Sequence, residues 1–326
     1  MQAIAFRRYG SPDVLEVAQV DRPSAGSDEV LVRIRAAAIN PYDLHFLRGE
    51  PVLMRPMMGL GLRKPRRATV LGSDVAGVVE VVGERVTRFR PGDEVYATVG
   101  MGGFGEVVAI REDVLTAKPA GATFEEAAAV PMAATTALQG LRDVGGLRPG
   151  QKVLINGASG GVGSFAVQLA RTLGAAAVTG VCSTGNLELI RSIGADVAID
   201  YTTEDFTRST ERYDLVVDMV GNRSLRALCR AATREGTVLI VGGGGGRALG
   251  PVAQIVAAKL QSPFVTQRVM TMLARSNAAD LAVIAGLIEE GKVRPVIDRT
   301  YPLVEAADAL RYLETRHARG KVVVTH

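Results

Sequence analysis

The residues with the clearest chemistry lie between Lys152 and Gly163, KVLINGASGGVG. An apolar strand, Val153 to Ile155, runs into Gly157, Gly160 and Gly163 at three-residue spacing. A helix follows, with Val162, Ala166, Leu169 and Leu173 at helical spacing. Glycines let the main chain turn sharply and let an anion reach it, and the free N–H groups of a helix start satisfy negative charge. With Ser159 and Gly161 in the same turn, the chemistry is the cradling of a dinucleotide pyrophosphate. A glycine triplet alone also fits a turn without a ligand. The strand before it, the helix after it and the strand–helix pattern downstream select the binding reading.

A second polar group follows the next strand, Ala176 to Val181. A carboxylate there would accept the ribose 2′-hydroxyl of NAD(H). The segment instead reads Cys182-Ser183-Thr184-Gly185-Asn186, with hydroxyls and an amide able to donate to a 2′-phosphate. Tyr201, after the third strand, offers another donor. This favours NADPH over NADH, although no Arg or Lys lies in the segment. Metal chemistry has little to draw on. Histidines occur at 45, 317 and 326 and cysteines at 182 and 229, which gives no zinc-ligand spacing, so no zinc is expected.

Short strands and helices alternate around these groups: Val197–Ile199, Leu215–Val217 and Thr237–Val241 as strands, with helices over Asn186–Ile193 and after an N-cap at Asn222. Such alternation predicts a parallel, doubly wound α/β sheet. Residues 1–125 read differently. Glu29–Arg35, Val75–Val82, Glu94–Ala97 and Glu106–Ile110 are short strands with Gly- and Pro-rich corners, a compact β-rich domain. The expected division is 1–125, 126–265 and a segment 266–326 with helices near 277–290 and 304–314 and a last strand, Lys321–Thr325. Residues 48–69, rich in Met, Pro and Gly, have no period and fit either an apolar lid or a subunit contact.

Composition bounds the rest. A chain of 326 residues, 47% hydrophobic and 22% charged, is that of a globular protein of two domains. No apolar run reaches the roughly 18 residues a bilayer requires, so no integral membrane association is expected. The formal charge of +4 and one basic cluster, Leu62–Arg67, do not make a nucleic-acid surface. Two cysteines and an N-terminus lacking an apolar signal core fit a reducing, cytoplasmic setting.

These motifs, in order along nearly the whole chain, resemble the medium-chain dehydrogenase/reductase superfamily, and within it the zinc-independent quinone oxidoreductase-like group. The resemblance rests on Asn40-Pro41-Tyr42-Asp43, Leu71–Gly77, Phe89–Val95, Pro131–Leu138, the glycine turn, Gly194–Tyr201, Tyr213–Gly221 and Gly320–Val323. It implies a GroES-like catalytic domain beside a Rossmann domain, with the last strand returning to the catalytic domain. Zinc-dependent members carry a Cys where this chain has Asn40 and a His-Glu pair at Ser73-Asp74. The resemblance assigns the pyrophosphate to Gly157, Gly160, Gly161 and Gly163, with Ser159 and Val162 in the same turn. Ser183 and Tyr201 take the 2′-phosphate side, with Asn186 where quinone reductases of this group have a Lys. Asn40 and Thr136 fall near the nicotinamide, and Val241 and Gly242 give backbone beside it. Tyr42 and Asp43 border the substrate or hold the Asn40 loop.

The implied reaction is hydride transfer from NADPH to a quinone or an α,β-unsaturated carbonyl, with Asn40, Tyr42 or water bonding the carbonyl oxygen. A zinc-free carbonyl reductase or alcohol dehydrogenase, and a non-catalytic NADPH-binding protein, remain the alternatives. The family usually forms a homodimer through an edge strand, for which Pro251–Met270 is apolar enough.

Overall fold

The computed structural model describes residues 1–52, 55, 61, 63–65, 68–242, 258 and 265–326. Much of the segment 48–69 and most of 251–264, read above as a lid or contact and as dimer edge, lie outside them. The chain forms two compact units: 1–135 with 276–291 and 295–326, and 136–275 with 292–294. Their main junctions are at 135/136 and 275/276, against 125/126 and 265/266 in the sequence reading.

The first unit is organised around β3 (Glu29–Ile39). Val30, Val32 and Ile34 face inward, and Ala36–Ile39 are buried as well. One edge of β3 pairs antiparallel with β5 (Asp74–Val82). The other is shared end to end. β7 (Val107–Arg111) takes Glu29–Arg33, and β16 (Lys321–Thr325) takes Ala36–Ile39. A β-bulge between Ile34 and Ala36 lets β3 bend at the changeover. β15 (Ile297–Pro302), β6 (Glu94–Thr98) and β8 (Thr116–Ala117) complete the seven-stranded sheet. A smaller sheet pairs β1 (Gln2–Phe6) with β2 (Glu16–Gln19) and β4 (Thr69–Val70). Phe6, Leu71, Phe104 and Leu115 fill the interior with no exposure.

Helices brace this unit. α1 (Pro41–Arg48) follows β3 directly, and α2 (Phe124–Ala128) is closed by a reciprocal Thr123–Glu126 capping box. α3 (Pro131–Gln139) begins inside this unit because the Met132 N–H donates to the Asp74 carboxylate at 3.2 Å. α7 (Ala278–Glu289) is capped by Asn277, which accepts from the Asp280 N–H at 2.7 Å, and the Tyr96 hydroxyl donates to its Leu281 carbonyl. α8 is Ala306–Glu314.

The second unit is one parallel sheet. Its order is β11-β10-β9-β12-β13-β14, with β9 (Lys152–Asn156), β10 (Ala177–Cys182), β11 (Val197–Asp200), β12 (Tyr213–Asp218), β13 (Ala232–Ile240) and β14 (Arg268–Thr271). The first strand sits in the middle, so successive crossovers run outward to both sides and diverge at β9/β12. Val153, Leu154 and Ile155 are fully buried, as strands covered on both faces must be. α4 (Gly161–Thr172), α5 (Leu187–Ser192) and α6 (Leu225–Ala231) are crossover helices. The N-cap of α6 is Ser224, whose hydroxyl accepts from the Ala227 N–H, and not Asn222. Asn222 instead accepts from the Asn156 amide at 3.2 Å.

Gly77 is one of the positions where the first unit has no room for a side chain. An added Cβ would stand 2.1 Å from the Arg33 carbonyl oxygen, next to the β3 bulge. Gly77→Ala should therefore cost about 1–3 kcal/mol of stability in urea denaturation through overpacking, leaving the urea slope unchanged. A neutral substitution would mean that β5 can slide.

Candidate active site

At the end of β3 the chain enters α1 through Asn40, and the polar side chains of this corner meet in the interior. Asn40 is 4% exposed, and Asp43, Ser73, Asp74 and Lys321 are buried as well. The Lys321 ammonium donates to the Ile39 carbonyl at 3.2 Å and to Asn40 Oδ1. An ammonium only donates, so it fixes which end of the Asn40 amide faces it. The NH2 end then donates to Ser73 Oγ and Asp74 Oδ2, both at 2.9 Å. Asp74 also accepts from the Thr98 hydroxyl at 2.7 Å and lies 3.9 Å from Lys321 Nζ. Asp43, at the third position of α1, accepts from the Asn40 N–H at 2.8 Å, the Gly72 N–H at 3.1 Å and the Ser73 hydroxyl at 3.1 Å.

Both Asn40 amide protons are spent inside the cluster, so Asn40 has none for a substrate oxygen. Asp43 bonds within the same corner, to Asn40, Gly72 and Ser73. Tyr42 differs. It is half-buried, its ring packs on Phe46 with centroids 4.5 Å apart, and its hydroxyl makes no hydrogen bond among the described residues. Burial raises its pKa, keeping the phenol a neutral donor. Sequence reasoning passed over Thr98, and over Lys321 and Asp74 as functional groups. The signal was present in the last two: each is the single charge in an otherwise apolar or small-residue run, LGSDVAG and GKVVV.

In the second unit the glycine turn follows β9. Gly157 has φ +89°, and the Gly163 Cα lies so close to it that an added Cβ would stand 2.0 Å from the Gly157 oxygen. Gly160 is open by contrast: an added Cβ there would meet only that oxygen, at 3.4 Å, and its face can admit a phosphate. Gly161 and Val162 open α4, and Gly160 caps it without a side chain, which leaves the first N–H groups for a ligand. The Asn186 amide donates to Ser159 and Ser183, each at 3.1 Å, joining this turn to the end of β10. Asn186 is 8% exposed, and its Oδ1 has no partner. A buried polar atom of that kind lacks a bond that a ligand can supply. The Tyr201 N–H donates to the Cys182 carbonyl beside Ser183. Val241 and Gly242 follow the carboxyl end of β13, both donating N–H groups to the Asp218 carbonyl. The structure thus gathers Ser159, Ser183, Asn186, Tyr201, Val241 and Gly242 along one sheet edge with the glycines. Thr136 sits half-buried on α3.

One neighbour of this edge was not visible in the local sequence. Parallel register sets Cys182 beside Asp200, and the Thr184 and Thr202 hydroxyls donate to the Asp200 carboxylate at 2.5 and 2.7 Å. These bonds hold that carboxyl below its usual range. Burial pushes the Cys182 thiol up to about 11, so it is no nucleophile here.

Comparison with known proteins agrees with this architecture. The alcohol dehydrogenase GroES-like domain family matches residues 26–120, and the zinc-binding dehydrogenase family matches 193–324. The chain is 37% identical to a 2-methylene-furan-3-one reductase of Solanum lycopersicum, over 99% of this chain and 79% of that one. The chain belongs to the medium-chain dehydrogenase/reductase superfamily. It is 36% identical, with the same coverage, to an NADPH-dependent alkenal/one oxidoreductase of Arabidopsis thaliana. Among solved structures, the quinone oxidoreductase of Coxiella burnetii superposes with a TM-score of 0.86 at 29% identity, covering 100% of this chain and 99% of that one. The fold is therefore a GroES-like domain with a Rossmann-like NAD(P)H-binding domain, and the chain is related to quinone oxidoreductases.

The zinc in one family's name finds no fit in these residues. At the positions where zinc-dependent members hold the metal, Asn40, Ser73 and Asp74 are bonded to one another, and an ammonium is already beside them. Among the described residues no group of three His, Cys, Asp or Glu side chains could hold a metal ion. The dinucleotide does fit, by the open face at Gly160, the free start of α4 and Asn186 Oδ1, an acceptor for a ribose hydroxyl.

Two outcomes test the buried cluster. Lys321→Met strands a charge at Asp74 and should cost about 3–5 kcal/mol in urea denaturation, with Asp74→Asn in the same chain restoring part of it. An unchanged midpoint would mean that Asp74 is neutral in the folded protein. The second concerns pH. Burial pushes the Asp43 carboxyl up to about 7, with the Asp74 charge adding to it. The folded chain then holds a proton that the unfolded chain releases near pH 4, so this group's stabilisation falls as pH rises from about 4 to about 7. The advantage of the native protein over Asp43→Asn should shrink across that window in thermal melts, and a gap that widens would reverse the assignment.

Proposed function

We propose that this chain transfers hydride from NADPH to a small, apolar α,β-unsaturated carbonyl or quinone, without zinc. The carrying observation is the closed Asn40–Ser73–Asp74–Lys321 cluster, which spends the positions that could have held a Lewis acid. Without one, charge developing on the acceptor oxygen is best tolerated where conjugation spreads it. The similarity to the tomato furanone reductase and the Arabidopsis alkenal/one oxidoreductase supports the same acceptor class.

The bound nicotinamide supplies the hydride. The chain's own residues bind and orient. The Gly157–Gly163 turn and the start of α4 take the pyrophosphate, Ser183 and Tyr201 take the ribose 2′-phosphate, and Asn186, whose amide protons hold Ser159 and Ser183, offers Oδ1 as an acceptor to a ribose hydroxyl. Asp200 is the one charge there that opposes a 2′-phosphate, and Thr184 and Thr202 engage it. Val241, Gly242 and Thr136 border the nicotinamide. Tyr42 donates to the substrate oxygen, and solvent completes protonation. Asn40 and Asp43 act by holding the residues on either side of Tyr42. A homodimer follows from the family habit. A cytoplasmic location fits two free, buried cysteines. Among the described residues no helix is long and apolar enough to cross a membrane.

The test is NADPH and NADH consumption against benzoquinone, a naphthoquinone, an enone, an alkenal and a simple aldehyde, after chelation. The expected result is NADPH-selective reduction of enone or quinone that survives chelation and falls about 100-fold in kcat in Tyr42→Phe. Metal-dependent turnover of the aldehyde would overturn the mechanism. Cofactor binding with no turnover would make the chain a binding protein, and NADH selectivity would assign Asp200 to the ribose hydroxyl.

A further inference from the structure

The amino ends of the central strands in the second unit carry a group of cations that the reaction above does not use. Arg212 stands just before β12, Arg226 and Arg230 lie one turn apart on α6, and Arg234 lies near the start of β13. Together they line one concavity of about 350 Å³. All four are exposed. Elsewhere many surface arginines rest on carboxylates, as Arg7 does on Glu16, Arg85 on Asp28, Arg171 on Asp196 and Arg311 on Asp13. None of these four makes an ion pair among the described residues. Among the described residues Arg212 is anchored by the Ser209 and Glu211 carbonyls alone, at 2.7 and 2.8 Å. Of the acidic residues nearest in sequence, Glu211 is held by Lys152 at 3.2 Å, and Glu235 does not line the concavity. Arg226 and Arg230 are a like-charged pair at the spacing where such pairs repel.

The location separates this group from the cofactor edge. β9, β12 and β13 are parallel, with Asn156, Asp218 and Ile240 level at the carboxyl ends where the glycine turn begins. The arginines lie at the other ends, roughly 17 Å away along β12 alone. A guanidinium is a planar fork suited to phosphate oxygens, and several converging on one concavity suit an anion of several charges.

We propose that this concavity binds a multivalent phosphate anion, at a site separate from the dinucleotide site. The shared chemistry is a cluster of phosphoryl groups, carried by a soluble polyphosphate or by a polyphosphorylated lipid headgroup.

Calorimetry on the full chain, saturated with whichever nicotinamide cofactor the assay selects, tests this with inorganic tripolyphosphate against sulfate at equal ionic strength. A parallel arm uses phosphatidylcholine vesicles with and without a phosphoinositide. Saturable binding of tripolyphosphate, at least tenfold weaker in Arg226→Ala/Arg230→Ala and unchanged in Arg7→Ala, would establish a soluble ligand. Binding only to phosphoinositide vesicles, with the same loss in the double variant, would assign the headgroup. Arg234→Ala, near the start of β13, serves if the helix variant misfolds. Tripolyphosphate acting no differently from sulfate with no vesicle binding, or binding that the arginine variants leave intact, overturns the proposal. Cofactor affinity measured on the same variants keeps this result separate from failure of the catalytic reading.

Discussion

An ammonium and a carboxylate sit 3.9 Å apart in the first unit with almost no exposure. The desolvation of two such charges can exceed their attraction, so they persist only where other donors and acceptors surround them. Here Thr98, Asn40 and the Met132 N–H surround Asp74, while the Ile39 and Asn40 oxygens surround Lys321. The cluster thereby ties β3, β5, β6, α3 and β16 at one point. It also fixes the start of α1, and so the position of Tyr42. A corner that in zinc-dependent relatives serves a metal serves here as an internal salt link, and the chemistry left to it is that of hydrogen bonds and orientation.

The second unit depends on a different constraint, the close approach of backbone to backbone. Gly163 lies against the Gly157 oxygen, and no side chain fits between them. What is left open is the Gly160 face and the unsatisfied Asn186 Oδ1, features that a ligand can fill. The Gln139 and Gln168 side chains solve a related problem. Each amide both donates to and accepts from one backbone residue, Arg275 and Arg294 respectively.

Much of this was legible before any coordinates. The alternation in Glu29–Arg35, the apolar run before Gly157 and the helical spacing after it give strands and a helix where they occur, because local pattern and burial agree there. The α/β class and the pairing of a β-rich domain with a dinucleotide fold follow from the same patterns. Roles were less legible. Asn40 looked like a substrate donor because its type allows it, but only the meeting of residues 40, 73, 74 and 321 shows its protons already spent. Asp200 escaped notice for the same reason: it reaches the end of β10 from the neighbouring strand, 16 positions from Thr184. The α6 cap was read two residues early, since Asn and Ser both cap and sequence does not say which one bonds elsewhere.

The pairing of β16 with β3 has a consequence for synthesis. Lys321 is made 281 positions after Asn40, whose amide it orients. Every strand of the parallel sheet lies between those two residues in the chain. During translation the parallel sheet of the second unit, all of it within residues 136–275, can therefore assemble while the first unit still lacks both an edge partner for Ala36–Ile39 and the counter-charge for Asp74. Until the last strand arrives, the half that begins the chain is the half that waits.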